Sequence, residues 1–373
     1  MYDCLYPHTV GGAERWYRNL AERLARDGHE VTYLTLRQWE RSEDPGVPGV
    51  DVRAVGPRMQ LYTGGRRRIL PPLVFGAGVL AHLLLRGRRY DVVHTASFPY
   101  FSLLAAALVR PLGRYSVVVD WHEVWTRTYW REYLGRAGAV GVWVQRLCAR
   151  VRQRAFCFSR LHAARLHREG LRGQVTVLEG EYEGDLSRPD PEPAGPAVVF
   201  AGRHIPEKHV PALVDAMAIA RERLPTLRCD IYGDGPERSK VERRIEELGL
   251  GEAVRAHGFV DGAEVDAALS RALCMVLPSV REGYGMVVIE ASSKGVPSVV
   301  ALAPDNAATE LVDEDSNGFL AASAAPADLA AAIERVHAAG PELRERTAGW
   351  FEANSRRLSL AASLETVLES YRP

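Results

Sequence analysis

Apolar and polar positions in the first half of the chain alternate between helical and strand periods. Gly12–Arg26 is amphipathic at helical spacing, Gly28, His29 and Glu30 make a turn, and Val31–Leu36 reads as a strand. Val50–Val55, Asp91–His94, Ser116–Val119 and Val175–Leu178 read as further strands. Arg150–Phe158 and Leu161–Arg168 contain helical stretches around a short strand at Phe156–Phe158. Residues 187–196 then hold four prolines in ten positions and read as an interdomain linker. A second series follows. Its strands are expected at Ala197–Ala201, Arg228–Tyr232, Val254–Phe259, Ala272–Leu277 and Ser298–Leu302. Helices are expected between them at Val210–Arg223, Ser239–Leu248, Ala263–Arg271 and Met286–Gly295, and later at Asp328–Ala338 and Arg356–Tyr371. This alternation predicts an α/β protein of two Rossmann-like parallel-sheet domains facing one another across a cleft. The domains are expected at residues 1–188 and 197–354, with 189–196 as the linker.

The longest apolar stretch, Ile69–Leu85, contains Pro71 and Pro72 and is short for a membrane span. A core helix is preferred over a membrane-surface element. With 373 residues, 47% hydrophobic and 25% charged, the chain can bury two cores, and the composition argues against disorder. Net charge is zero, but residues 1–190 carry 28 Lys/Arg against 19 Asp/Glu, while residues 191–373 carry 19 against 28. A basic first half suits an anionic acceptor or anionic membrane surface, and equally suits an acidic second half across a cleft. Five cysteines without a Cys-x-x-Cys pair suggest reduced, buried thiols in a cytoplasmic protein, peripheral at the inner membrane face if the basic half meets lipid. Lysine occurs three times, at Lys208, Lys240 and Lys294, so each lysine carries more information than any one of the many arginines.

The most informative unit runs from the apolar strand Ala272–Leu277 through Pro278 and Ser279 to Glu282, Gly283, Tyr284, Gly285, Met286 and Glu290. Two glycines let the backbone approach a ligand, and the helix start presents N–H groups to an anion. If the intervening residues were all helical, Glu282 and Glu290 would stand about 12 Å apart, suited to the two ends of one elongated ligand. Gly11 and Gly12 near the start, Gly202 and Arg203 with Lys208, and Gly233–Glu237 after a strand complete an ordered set.

In this order the motifs resemble those of retaining GT-B glycosyltransferases of the family-4 type, also called group 1, over almost the whole chain. The resemblance implies a GT-B architecture whose C-terminal helix, residues 355–373, packs back on the N-terminal, acceptor-side domain. It further implies a metal-independent, retaining transfer of a hexosyl unit from a nucleotide diphosphate sugar to an acceptor hydroxyl, with no cofactor beyond that co-substrate. Arg203 and Lys208 would grip the diphosphate, as a guanidinium and an ammonium do well. Glu282 would contact the sugar, Gly283–Met286 the phosphate and Glu290 the ribose. Gly11, Gly12 and Gly202 would let backbone approach the donor; Gly233, Gly235, Gly258 and Phe259 would border the base. His122, at a strand end, would touch donor sugar or acceptor. Trp121, Trp125 and Trp130 would stack on the acceptor, a polysaccharide, lipid-linked sugar or secondary metabolite, or else form an aromatic core. His204 and His209 depart from the family pattern and make their loop less open.

Two further sequence features point elsewhere or are unusual. Asp313, Glu314 and Asp315 match the Asp-x-Asp of metal-dependent transferases, but lie in a polar turn and are not expected to bind metal. Met1–Pro7 reaches the double glycine too soon for a full central strand, which suggests a clipped start. Rival readings are a GT-B epimerase, which would need no acceptor, and a non-catalytic subunit that binds a nucleotide sugar beside a partner transferase. No nucleic-acid partner is expected, and the donor base remains open among uridine, guanosine and thymidine.

Overall fold

The computed structural model describes residues 1–9, 11–40, 42–63 and 66–371. It divides into two compact units: Met1–Leu178 together with the residues from Ser363 onward, and Glu179–Ala362.

In the first unit, β1 (Val31–Leu36) and β2 (Val50–Gly56) pair in parallel, and β3 (Tyr62–Thr63) pairs antiparallel with β4 (Arg66–Arg67). β5 (Val92–Ala96), β6 (Ser116–Trp121), β7 (Arg154–Cys157) and β8 (Val175–Val177) make a four-stranded parallel sheet in chain order. Tyr2–Leu5 are buried between the two parallel sheets. The Tyr2 amide donates to Leu34 O at 3.1 Å, and the Met1 ammonium donates to His94 O at 2.7 Å. Burial pulls that amine's pKa down to about 5, against the opposing pull of Asp120.

The helices of this unit are α1 (Gly12–Arg26), α2 (Leu70–Arg86), α3 (Phe101–Gly113), α4 (Arg127–Leu134), α5 (Gly138–Ala149) and α6 (Arg160–Arg168). α1 buries Trp16, Tyr17, Leu20 and Ala21 on one stripe, as its amphipathic pattern requires. Ser159 caps α6 by accepting the His162 amide at 3.2 Å. Pro71 and Pro72 fall in the first turn of α2, where a missing N–H is harmless. The expected core helix is half right: α2 buries Phe75, Val79 and Leu83 but exposes Leu70, Leu73, Leu84 and Leu85. Gly76 and Gly78 let it close on the Phe101 backbone and the Val55 carbonyl, positions a Cβ would occupy. Arg150 is not helical through to Phe158; α5 ends at Ala149 and the chain re-enters the sheet as β7.

The second unit holds β9 (Ala197–Ala201), β10 (Arg228–Tyr232), β11 (Val254–Gly258), β12 (Cys274–Leu277), β13 (Arg281–Glu282), β14 (Ser298–Ala301), β15 (Asp305–Asn306) and β16 (Gly318–Ala321). Six of these form one parallel sheet in the order β11-β10-β9-β12-β14-β16, while β13 pairs with β15 beside it. Residues Cys274–Leu277 and Ser298–Ala301 are buried throughout, as strands covered on both faces must be. The helices are α7 (Val210–Arg223), α8 (Arg238–Glu247), α9 (Gly262–Ser270), α10 (Met286–Ser292) and α11 (Pro326–Asn354); α12 (Leu360–Glu369) starts in this unit and from Ser363 onward belongs to the first. α11 breaks at Gly340, whose φ of 63° interrupts the helix just before Pro341.

The proline-rich stretch does not separate the two units. It lies within the second, where Gly195 N–H donates to Arg271 O at 2.8 Å and Arg228 N–H to Pro196 O at 2.7 Å. All five cysteines are buried free thiols.

Candidate active site

Strand order in the second unit reverses at β9. From it the chain builds β10 and β11 to one side, then β12, β14 and β16 to the other. The loops leaving the carboxyl ends of β9 and β12 therefore diverge around a crevice, the place where parallel sheets of this kind bind ligands. The first loop carries Gly202–His209 and the second Pro278–Gly285. They meet through the Val280 amide, which donates to Glu207 O at 2.9 Å.

Their charged side chains meet as well. Lys208 Nζ forms an ion pair with Glu282 Oε1, and Ser279 Oγ donates to the same oxygen at 2.7 Å. The two charged side chains keep 19% and 11% of their surface exposed, so the pair is shielded yet open on one side. Arg203, in the same loop as Lys208, is exposed, and no ion pair engages its guanidinium among the described residues. The first loop thus presents one free cation and one cation already held by a carboxylate.

Glycines bring these loops together. Gly233, at φ 113°, lies where a Cβ would strike Gly202 O, and Gly235 lies against the His204 backbone. Gly202 N–H donates to Tyr232 O at 3.1 Å and His204 N–H to Asp234 O at 2.9 Å, tying the β9 loop to the β10 loop. His204 is fully buried, and neither ring nitrogen has a partner among the described residues. Burial lowers its pKa, so the ring is neutral.

Several expected donor contacts have other environments. Tyr284 is buried with its hydroxyl bonded to Glu179 O, and burial raises its pKa, so it anchors the loop instead of facing a ligand. Glu282 sits in β13 and Glu290 in α10, with Gly283–Gly285 between them; the helical span of about 12 Å therefore does not describe their separation. Glu290, Gly283 and Met286 are partly exposed, and Gly285 takes φ 107° against Ala308. Gly258 packs against the Arg238 guanidinium, whereas Phe259 beside it is 83% exposed. Two residues escaped the sequence reading. Ser279 was visible in the motif as a turn residue; Asn306, whose Nδ2 donates to Ser279 O and Ala301 O, lies 27 positions away and gave no signal.

In the first unit, Gly11 precedes α1 in extended conformation and packs on the Glu14 carboxylate, while Gly12 has open space around it. Asp120 does not open into a site. It is buried, accepts Trp16 Nε1–H at 2.7 Å and faces His94 Nε2 at 2.8 Å. Burial alone would raise its pKa, but His94, His122 and Trp16 outweigh burial and hold it below the usual carboxylate value. His122 stacks on Phe158 with centroids 4.4 Å apart, and its buried Nε2 has no partner among the described residues. Burial lowers its pKa more than Asp120 and Glu123 raise it, so the ring is neutral.

Trp121 and Trp130 are core residues, which corrects their expected acceptor role. Trp121 is fully buried and donates to Gln153 Oε1 at 2.8 Å; Trp130 donates to Gln145 Oε1 at 3.3 Å. Trp125 is partly exposed, among Phe98, Tyr129, Trp130 and Tyr133. A cavity of about 1050 Å³ in this unit, lined by Met1, Tyr17, Val31, Val93 and Tyr371 among others, includes none of the expected site residues. Asp313–Asp315 form a turn in which Glu314 meets Arg335 at 3.3 Å.

Two family models match the chain, glycosyltransferase family 4 over residues 10–180 and glycosyl transferases group 1 over residues 187–348. The UDP-N-acetylglucosamine–peptide N-acetylglucosaminyltransferase GtfA subunit of Streptococcus gordonii is 35% identical over 130 residues, covering 35% of this chain and 25% of that protein. Alpha-D-kanosaminyltransferase of Streptomyces kanamyceticus is 32% identical over 154 residues, covering 41% of this chain and 39% of its own length. The matched stretches are thus less than half of these relatives. A solved structure of Anabaena HepE in complex with UDP and glucose superposes with a TM-score of 0.74 at 19% identity, covering 99% of this chain and 98% of that one. At that identity the likeness speaks for the fold.

Proposed function

The chain belongs to the group 1, family-4 glycosyltransferases and has their GT-B fold, and on that footing we propose that it transfers a hexosyl unit from a nucleoside diphosphate sugar to an acceptor hydroxyl. The observation that carries this reading is the meeting of Lys208 and Glu282 where the strand order reverses. In the proposed reaction the bond from the anomeric carbon to the diphosphate breaks as the acceptor oxygen bonds to the same face. The acceptor proton passes to the departing phosphate oxygen, so retention needs no side-chain base.

Charge on the leaving diphosphate is offset by Arg203, which can bind two phosphate oxygens at once, and by Lys208 as a point charge. These cations supply positive charge without a metal ion. Glu282, held by Ser279 and Lys208, offers its carboxylate to sugar hydroxyls; Glu290 would accept from the ribose. Binding a diphosphate beside Lys208 divides that ammonium between two anions. The donor thus loosens the Lys208–Glu282 pair and frees the carboxylate for the sugar.

Thermal-shift titration with UDP, GDP and dTDP tests the donor site. A nucleotide at a hundred times its Kd should raise Tm by about 2–4 °C. Lys208→Ala should abolish that shift while leaving a folded protein. No shift with any of the three, or an undiminished one in the variant, would remove the basis for this reading.

A further inference from the structure

We infer that the outer faces of α2 and α3 form a docking surface for an anionic phospholipid membrane. On α2, Leu70, Leu73, Ala77, Ala81 and Leu84 stand three or four residues apart and are all exposed, so they share one face. Phe75, Val79 and Leu83 occupy the opposite, buried face. A helix whose inward face is already packed normally turns polar residues outward. Here Leu70–Leu85 contains one polar side chain, His82, and it is engaged with the Tyr90 hydroxyl at 2.7 Å.

α3 extends the same surface. It packs along α2, with Gly76 against Phe101, and it exposes Leu108 and Leu112. Arg88 Nε donates to Leu112 O at 3.3 Å, joining the carboxyl ends of the two helices. Leu85 is 85% exposed and Leu108 69%, so large apolar side chains stand in solvent on both helices.

Charge identifies the occupant. Residues 52–119 contain ten arginines and a single acid, Asp91. Arg68 lies before α2, Arg88 after it and Arg114 after α3, whereas Arg86 and Arg89 line the cavity beside Leu83. All three rim arginines are exposed, and none is ion-paired among the described residues. An apolar face rimmed by unpaired arginines matches the interface of an anionic bilayer, where leucines enter the acyl boundary and guanidinium groups meet headgroups. A like-to-like contact between two copies of this chain would set one arginine rim against another. By length and composition Leu70–Arg89 could cross a membrane, yet its inward face is part of the folded unit, so the helix would lie in the interface plane.

Flotation of the full chain with phosphatidylcholine vesicles, and with vesicles containing about a third phosphatidylglycerol, tests this. The protein should float with the anionic vesicles alone and be released by 0.5 M NaCl. The double variant Leu73→Ser, Leu84→Ser should bind at least ten-fold more weakly. Arg68→Ser with Arg88→Ser should cost roughly thirty-fold at low salt, and this variant leaves every leucine of the face in place. Equal binding to both vesicle types, or no loss in either variant, overturns the proposal. So does light scattering showing a dimer that the leucine variant abolishes, since the face would then belong to a second copy.

Discussion

The Lys208–Glu282 pair allows structure and chemistry to be separated by a double-mutant cycle. Lys208→Met keeps the length of the stem and removes the charge. Glu282 would then keep the hydrogen bond donated by Ser279 Oγ, in a site where 11% of the side chain is exposed. Breaking a fully buried pair costs about 3–5 kcal/mol, and partial solvent access here should reduce that to roughly 1–3 kcal/mol. Glu282→Gln strands the ammonium in the same way. The double variant removes both charges and should recover most of the stability, because no lone charge is left behind. Catalysis should behave differently. In the proposed reaction, loss of the Lys208 charge should cost about 10²–10³ in kcat, and the double variant should stay as slow as the worse single. Urea unfolding gives the first quantity, and nucleoside diphosphate release from a donor identified by thermal shift gives the second. If activity returns together with stability in the double variant, the pair is a fold element and its assignment to the donor is wrong.

Other positions make separate predictions. His204 is buried and neutral with unpartnered nitrogens, so protonating it is costly: its depressed pKa means stability should fall as pH drops below the ordinary histidine value of about 6.5. His204→Leu should flatten that part of the pH–stability curve and raise stability at neutral pH by about 1 kcal/mol, measured by urea unfolding. Gly235→Ala would drive a Cβ into the His204 backbone at φ 155°; Tm should drop by several degrees, and donor affinity should fall with it. Trp121→Ala should cost about 3–5 kcal/mol by emptying a core site, whereas the partly exposed Trp125→Ala should cost less and is the variant in which acceptor KM should rise.

Much of the second unit was legible in the linear pattern. Its strands are short apolar runs bounded by turns, and Ala197–Ala201 and Val210–Arg223 fall where the periodicity placed them. The first unit was harder to read. α3 is apolar on both its packed and its exposed side, so it shows no contrast between faces to mark it as a helix. β16 is four residues long and was not distinguished from the loop around it.

Residue chemistry by itself selected the motif, the rare Lys208 and the paired glutamates, because side-chain type and order along the chain need no folding to be seen. Tertiary structure decided which of them meet. The reversal of strand order at β9 brings Lys208 to Glu282 across 74 positions, and no local rule encodes that contact. Burial likewise separated Trp121 and Tyr284, which the core consumes, from Trp125 and Arg203, which remain accessible. An aromatic or charged residue looks the same on paper in either setting. The neighbours that desolvate it, or leave it wet, come from distant segments.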